Sequence, residues 1–318
     1  MDGVATEAAP SLVCPACRST LRPASGALRC TSCSAVYPCS HGIADFSGGR
    51  YYDAFDESSE LGGVLLEGLA LEEEGVRRRI GDYYAPLLGA AGLAACRVLD
   101  CGCGNGLSVD LLCDAGFDAW GNDVSALRKW QWQQRRRRDR LVVTDGATLP
   151  FPDAFFGAAI SSGVIEHVGV EETGPPSYSV RPRVDRDAAR AAFLAELLRV
   201  TQPGGVVFLD CPNGAFPFDF WHGNRPGAAR RHSRHEGFLP TFGELAALLA
   251  STQPAARIDA LSPHRRLQFR QAAGHLHGRL LSRPADLFFR LMKLPGLRWM
   301  ARGRLNPFLV VRITASPS

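Results

Sequence analysis

Lysine is almost missing from this sequence. In 318 residues it stands only at Lys129 and Lys293, so the other 34 of 36 cations are arginine. A GC-rich coding bias produces that skew as readily as selection does, so arginine counts alone carry little weight. No run approaches the roughly 18 consecutive apolar residues of a spanning helix. The opening stretch, MDGVATEAAPSLV, has neither the basic nor the apolar region of an export signal. Secretion and membrane spanning are therefore not expected, and a cytoplasmic location is. Glycine (33) and proline (21) are plentiful but follow no period, which excludes a collagen-like chain. No internal repeat of 20 to 50 residues is present.

What remains is 46% apolar and 21% charged, an ordinary composition for a chain able to bury a sizeable core. The net charge is only +4, but it is unevenly placed: residues 264–306 hold ten Arg or Lys against one acid, Asp286. With Leu287, Phe288, Leu291, Leu294 and Trp299 among them, this basic, apolar segment reads as domain packing, or as a surface that lies on anionic membrane or grips a phosphorylated substrate.

Four of the ten cysteines form two CxxC pairs, Cys14/Cys17 and Cys30/Cys33. Without an export signal, a disulfide framework is the weaker reading. Four thiolates on two turns match tetrahedral zinc with no open coordination position, a structural site and not a catalytic one. Cys39 and His41 lie just beyond as spare ligands. The boundaries follow: a cysteine module at 1–46, an acidic linker at 47–75, and a large unit at 76–318 carrying the basic insert at 264–306.

In the large unit, short apolar runs alternate with helical stretches: RVLDC, DAWGND, LVVTD, GAAISS, GVVFLDC, then 257–261 and 307–314. The pattern predicts an α/β fold, doubly wound, with a mostly parallel seven-stranded Rossmann-like sheet. Asp100 ends the first strand and Cys101-Gly102-Cys103-Gly104-Asn105-Gly106 follows, a glycine turn that lets a ligand approach the backbone at a helix start. Leu107 stands where a dinucleotide fingerprint needs its third glycine, and no Gly-Lys-Ser/Thr is present for a phosphate loop. Asp123 ends the next strand, where a carboxylate can accept both ribose hydroxyls. Asp145 ends the third. Three carboxylates and no cation at successive strand tips suit a ligand with a ribose, an amine and a cationic centre, such as S-adenosylmethionine.

At this point the sequence resembles the class I S-adenosylmethionine-dependent methyltransferases, most closely the ubiquinone- and menaquinone-biosynthesis group. The matching pieces are VLDCGCGNG (98–106), WGNDVS (120–125), TDGATLPFPD (144–153), ISSGVIEHV (160–168) and LLRVTQPGGVVFLDCPN (197–213). The resemblance implies that Gly102, Gly104 and Gly106 pass along the methionine moiety, that Asp100 lies near its amino group and that Asp123 takes the ribose. Asp145 would accept from the adenine amino group, Gly146 and Ala147 would supply backbone contacts, and Ser162 would line the cofactor wall. It also places His167 beside the acceptor, as a base or with an acidic neighbour holding Mg²⁺. One departure is Phe156-Gly157, where the family usually has Phe-Asp.

Methyl transfer from a sulfonium is an in-line displacement, so nucleophile placement and deprotonation are the main tasks. Beyond His167, the loop 212–238 gathers Asp219, His222, His232 and His235 beside Phe218, Phe220 and Trp221, an acceptor pocket in which His222 is the second catalytic candidate. A small molecule accepting at oxygen is the expected substrate. Two features keep RNA open. Arg135 to Arg138 follow Trp130 and Trp132, and a zinc ribbon also occurs in a bacterial ribosomal-RNA guanine methyltransferase. The cysteine stretch itself resembles the zinc-ribbon activator of tRNA and protein methyltransferases, including Tyr37-Pro and Gly42-Ile43. A non-catalytic S-adenosylmethionine-binding or zinc-dependent partner of another methyltransferase is the reading from outside enzymes; the identity of any protein partner is unknown from sequence.

Overall fold

The computed structural model describes residues 12–55, 69–174, 177–224, 229–233, 235–267 and 276–316. Parts of the 47–75 linker, of the 212–238 loop and of the basic insert lie outside the described residues.

Four short strands come first: β1 (Leu21–Ala24), β2 (Ala27–Cys30), β3 (Val36–Ser40) and β4 (Ile43–Asp45). The large unit adds β5 (Arg97–Cys101), β6 (Asp118–Asp123), β7 (Leu141–Val143), β8 (Phe156–Ser162), β9 (Val170–Thr173), β10 (Ser179–Pro182), β11 (Thr201–Pro212), β12 (Phe218–Asp219), β13 (Arg230–Arg231), β14 (Arg257–Leu261) and β15 (Phe308–Thr314). The main sheet runs β1-β2-β3-β4-β7-β6-β5-β8-β11-β15-β14. Among the described residues it has eleven strands, seven from the large unit and four from the N-terminal meander, which β4 carries onto the sheet by pairing in parallel with β7. From β4 to β11 the strands are parallel, and β15 runs antiparallel between β11 and β14.

The parallel strands are buried on both faces, as crossover helices require. Leu99, Ala159, Val207 and Leu309 sit in one apolar layer with Phe193 and Leu197, while Val98, Ala158, Phe208 and Val310 sit in the other with Tyr84 and Leu112. The two sets alternate along each strand, so the sheet divides two cores. Gly157, where the family has aspartate, sits under Cys96: a Cβ there would lie 3.0 Å from the Cys96 Cβ.

Helix starts follow local chemistry. The Ser125 hydroxyl accepts from the Arg128 amide and caps the helix Ala126–Trp132, and Thr241 and Glu244 form a reciprocal capping box on Phe242–Thr252. Strand order reverses between β5 and β8, which opens a crevice at the carboxyl ends of the strands, the place where such folds bind ligands.

Candidate functional site

The turn after β5 begins with Gly102, whose φ of +79° is a left-handed conformation; a Cβ there would also lie 2.3 Å from Val164. The turn is tied to the tip of β6. One oxygen of Asp123 accepts the Gly104 amide at 3.0 Å, and the other accepts the amides of Val124 and Ser125 at 2.8 and 3.1 Å. Trp132 donates its indole N–H to the Gly104 carbonyl at 2.8 Å. Gly106 then precedes the helix Leu107–Asp114. Burial raises the carboxyl pKa of both Asp123 and Asp100.

Asp100 is fully buried. Its Oδ2 faces Arg79 Nη2 at 3.5 Å, while its Oδ1 and the Arg79 Nε have no hydrogen-bond partner. The helix Leu69–Arg78, whose acids the sequence left in a linker, lies across the turn: Glu72 pairs with Arg128 at 2.9 Å and Glu73 with Arg135 at 2.6 Å. Asp145 is exposed in the turn after β7 and accepts from the Ala147 amide at 2.9 Å and the Thr148 hydroxyl at 3.0 Å; Gly146 lies under Phe193.

Ser162 ends β8, but its hydroxyl is engaged inside the protein. It donates to Asp210 at 2.9 Å and accepts from Arg266 at 2.8 Å. Asp210 also accepts from Tyr84 and from Arg266 Nε. Arg266 comes from the basic insert, and sequence reasoning missed it because its partner is buried and distant along the chain.

His167 and His222 come together, with ring centroids 5.1 Å apart. Phe238 packs edge-on against both, at 5.6 and 4.8 Å. His167 Nδ1 bonds Glu172, which also accepts from Tyr178 at 2.8 Å; His222 Nδ1 bonds Asp219 Oδ2 at 3.0 Å. Burial opposes a charged imidazole at His167, but the Glu172 hydrogen bond and the charges of Glu166, Glu172 and Asp219 together outweigh it and raise the pKa above the usual histidine value. Arg190, itself buried, donates to the carbonyls of Glu166 (2.9 Å), Val168 (3.3 Å) and Phe238 (2.6 Å) and so fixes the segments bearing this cluster.

The other loop residues do not join it. His232 bonds the Phe216 carbonyl through Nε2 at 2.6 Å, Trp221 packs on Phe308, and Phe218 and Phe220 are exposed. The expected aromatic wall is made instead by Phe238, at the end of the same loop and held by Arg190, and by Tyr178, which comes from beside β10. The arginine run is likewise engaged: Arg135 pairs with Glu73, Arg136 with Asp114 at 2.6 Å, and Arg138 donates to the Gln133 carbonyl.

The resemblance implies magnesium beside His167. The donors that converge there are two imidazole nitrogens and the Glu166 carboxylate, all within 4.8 Å of one another. Magnesium demands oxygen ligands, so this donor set does not fit it.

Far from this edge, Cys14, Cys17, Cys30 and Cys33 converge. The Cys14–Cys33 and Cys17–Cys30 sulfurs lie 3.6 and 3.4 Å apart. A Zn–S bond of about 2.3 Å in a tetrahedron sets S···S edges of about 3.8 Å, whereas a disulfide needs about 2.05 Å. The four sulfurs therefore fit a single zinc ion. Arg18, next to Cys17, ties the cluster to the large unit through Glu196 at 3.1 Å and the Leu149 carbonyl at 3.0 Å.

Residues 99–209 match the family described as methyltransferase domain. A Mycolicibacterium smegmatis protein named as a probable S-adenosylmethionine-dependent methyltransferase is 29% identical over 148 residues, 46% of this chain and 49% of that protein. The demethylmenaquinone methyltransferase of Renibacterium salmoninarum is 34% identical over 112 residues, 35% of this chain and 39% of that enzyme. The chain thus spans half or less of the curated relatives it matches. A solved structure of Burkholderia thailandensis 1,6-didemethyltoxoflavin-N1-methyltransferase, with 1,6-didemethyltoxoflavin and S-adenosylhomocysteine bound, is similar at 17% identity and a TM-score of 0.44, over 84% of this chain and 98% of that one. The domain match and the relatives' names agree on an S-adenosylmethionine-dependent methyltransferase domain.

Proposed function

We propose that the chain uses this domain to move a methyl group from S-adenosylmethionine to an oxygen of a small molecule, with a structural zinc ion in its N-terminal ribbon. One observation supports the cofactor above all. Asp100 Oδ1 and Arg79 Nε, on side chains that meet at 3.5 Å through Oδ2 and Nη2, both lack a hydrogen-bond partner, one an acceptor and one a donor. Buried polar atoms without partners are rare, and these two complement the ammonium and carboxylate of an amino acid. Asp123 would take the ribose hydroxyls at the neighbouring strand tip, Asp145 the adenine amine, and Gly146 and Ala147 the ring's other edge. Ser162, held by Asp210 and Arg266, would shape the wall and not donate to the cofactor.

In the reaction the C–S bond of the sulfonium breaks as the acceptor O–C bond forms, and the acceptor proton leaves. S-adenosylhomocysteine is the other product. With Nδ1 of His167 and of His222 held by carboxylates, their Nε2 atoms are free either to take that proton or to ligate a metal that lowers its pKa. One atom cannot do both.

A small acceptor is favoured over RNA because Arg135 and Trp132 are engaged within the protein, which leaves only the exposed Arg136 to Arg138 of that segment to meet phosphate. Methyl-labelled S-adenosylmethionine incubated with the protein and cell extract tests this. Label in low-mass metabolites is expected; label in RNA would favour base methylation, and no transfer with a co-purifying partner would favour the non-catalytic role. Among the described residues no helix is long and apolar enough to cross a membrane. Leu287, Leu291, Leu294 and Trp299, exposed among cations, support peripheral contact with an anionic bilayer.

A further inference from the structure

Between the loop 214–217, β13 and the turn that carries Arg304 lies a cavity of about 260 Å³. We infer that it is a binding site for a phosphate monoester group. Arg231, His232, Arg304 and Phe216 line it, with no acidic side chain among the lining residues. Among the described residues neither Arg231 nor Arg304 has a hydrogen-bond or ion-pair partner. A space of this size takes a phosphoryl group and a few attached atoms.

Both arginines are exposed, but the backbone beneath them is fixed. Asn213, 1% exposed, donates its side-chain N–H groups to the carbonyls of Gly303 at 3.1 Å and Asn306 at 2.7 Å, one on each side of Arg304. Its side-chain oxygen accepts the Ala215 amide at 3.0 Å, so one buried asparagine holds both the loop and the Arg304 turn. Asn306, fully buried, braces that turn further by donating to the Ala301 carbonyl at 2.6 Å. Across the cavity Arg231 pairs with Phe218 in the β12–β13 ribbon, and His232 donates Nε2–H to the Phe216 carbonyl at 2.6 Å. Only the two guanidinium chains are left to order when an anion arrives, which keeps the cost of binding low.

The site is separate from the histidine cluster. Arg230 and Arg231 are successive strand residues and face opposite ways. Arg230 turns to Asp219 and Glu236, on the side of His222, and Arg231 turns away from them. A larger cavity of about 310 Å³ beside His41 and Trp130 also contains a cation, but there Lys129 is already bonded to Asp45 at 2.6 Å and Tyr51 at 3.2 Å.

Charge and shape select the ligand. A phosphate monoester carries close to two negative charges at neutral pH and three acceptor oxygens, which two guanidinium forks match; a carboxylate would leave one cation uncompensated. The rim is apolar: Phe216 lies 6.2 and 6.1 Å from Phe218 and Phe220, both 42% exposed, and Leu305 beside Arg304 is 64% exposed. The phosphate therefore bears an apolar group, as an aromatic phosphate ester in solution or as the headgroup of phosphatidic acid.

The test is calorimetric titration of the full chain with phenyl phosphate at about 0.15 M salt. One equivalent is expected to bind. Arg231→Gln and Arg304→Gln should each raise Kd about 10-fold or more, and the double variant should show no binding. Arg298→Gln, an exposed cation of the same insert outside the cavity, should change nothing. Sedimentation with vesicles carrying phosphatidic acid, against phosphatidylglycerol at equal charge, separates the two sources. A preference for phosphatidic acid that the double variant loses assigns the site to a lipid headgroup; phenyl phosphate binding without that preference assigns it to a soluble ester. Wild-type protein that neither binds phenyl phosphate nor prefers phosphatidic acid overturns the site. So does unchanged binding in the double variant, or an equal loss in Arg298→Gln. No step of this test uses S-adenosylmethionine, so its failure would leave the methyl-transfer reading untouched.

Discussion

Arg266 and Asp210 meet in a two-point ion pair, Nε to Oδ2 at 2.7 Å and Nη2 to Oδ1 at 2.9 Å, on an aspartate with no exposed surface. Tyr84 and Ser162 complete the aspartate's hydrogen bonds. The pair joins the basic insert to the carboxyl end of β11. Removing one partner strands a buried charge, which costs about 3–5 kcal/mol. Arg266→Ala is therefore expected to lower the melting temperature by on the order of 10 °C, measured by calorimetry. A melting temperature that barely moves would mean that the pair contributes nothing.

Asp123 anchors the glycine turn and is the proposed ribose ligand. Asp123→Ala should cost about 2–3 kcal/mol of S-adenosylhomocysteine affinity, roughly a 30- to 150-fold rise in Kd, by isothermal titration. Unchanged affinity in a variant with native circular dichroism would remove the cofactor assignment at that strand tip.

Removing zinc from the cysteine cluster should unfold residues 12–46 while β5 to β15 persist, since a closed thiolate site contributes folding energy. Limited proteolysis after chelation, with metal content followed by mass spectrometry, reads this directly. Purified, reduced protein without thiolate-bound zinc would contradict it.

Glu196 supplies an acid-sensitive link between the ribbon and the large unit. It accepts the Leu149 amide at 2.7 Å and pairs with Arg199 at 2.7 Å and Arg18 at 3.1 Å. Burial alone would raise its pKa, but the hydrogen bond and charge of Arg199, the Leu149 amide and the charge of Arg18 together outweigh burial and hold the carboxyl below the ordinary glutamate range. Its contribution is thus complete above the unfolded value of about 4.3 and is lost as pH falls through the lower folded value. Thermal melts of wild type and Glu196→Gln should converge as pH drops below about 4 and separate at neutrality. Parallel curves would exclude the linkage.

The exposed apolar residues of 287–299 lie among Arg290, Lys293 and Arg298. Sedimentation with phosphatidylglycerol vesicles should show binding that weakens with salt and drops in Leu291→Glu and Trp299→Glu. Equal binding to neutral and anionic vesicles would count against it.

Strand tips and the glycine turn were legible because they depend on local order: an apolar run, a carboxylate, then glycines. Asp100, Asp123 and Cys14 to Cys33 needed only spacing to be found. Arg79, Tyr84, Arg190 and Arg266 could not be found that way, since each acts through a partner brought close only by folding. Arg266 looked like one cation among ten in the insert, and charge counting is blind to a buried aspartate 56 positions away. Glu72 and Glu73 read as linker acids because their arginine partners, Arg128 on the helix Ala126–Trp132 and Arg135 just after it, lie 56 and 62 residues on. Loop 212–238 misled for the converse reason: His222, His232 and His235 are alike in composition, and only Asp219 and Phe238 turn one of them inward.

The attachment of β4 to β7 has a consequence for solubility. Leu141–Val143 is wholly apolar and buried, and without a neighbour its N–H and C=O groups would form a naked rim able to zip onto any other extended chain. The ribbon sheathes that rim. A truncated protein beginning at Leu69 would keep Arg79, its glycine turn and its histidines, yet would stick to its own copies, so clumping of such a fragment would report a lost guard strand and not a damaged catalyst.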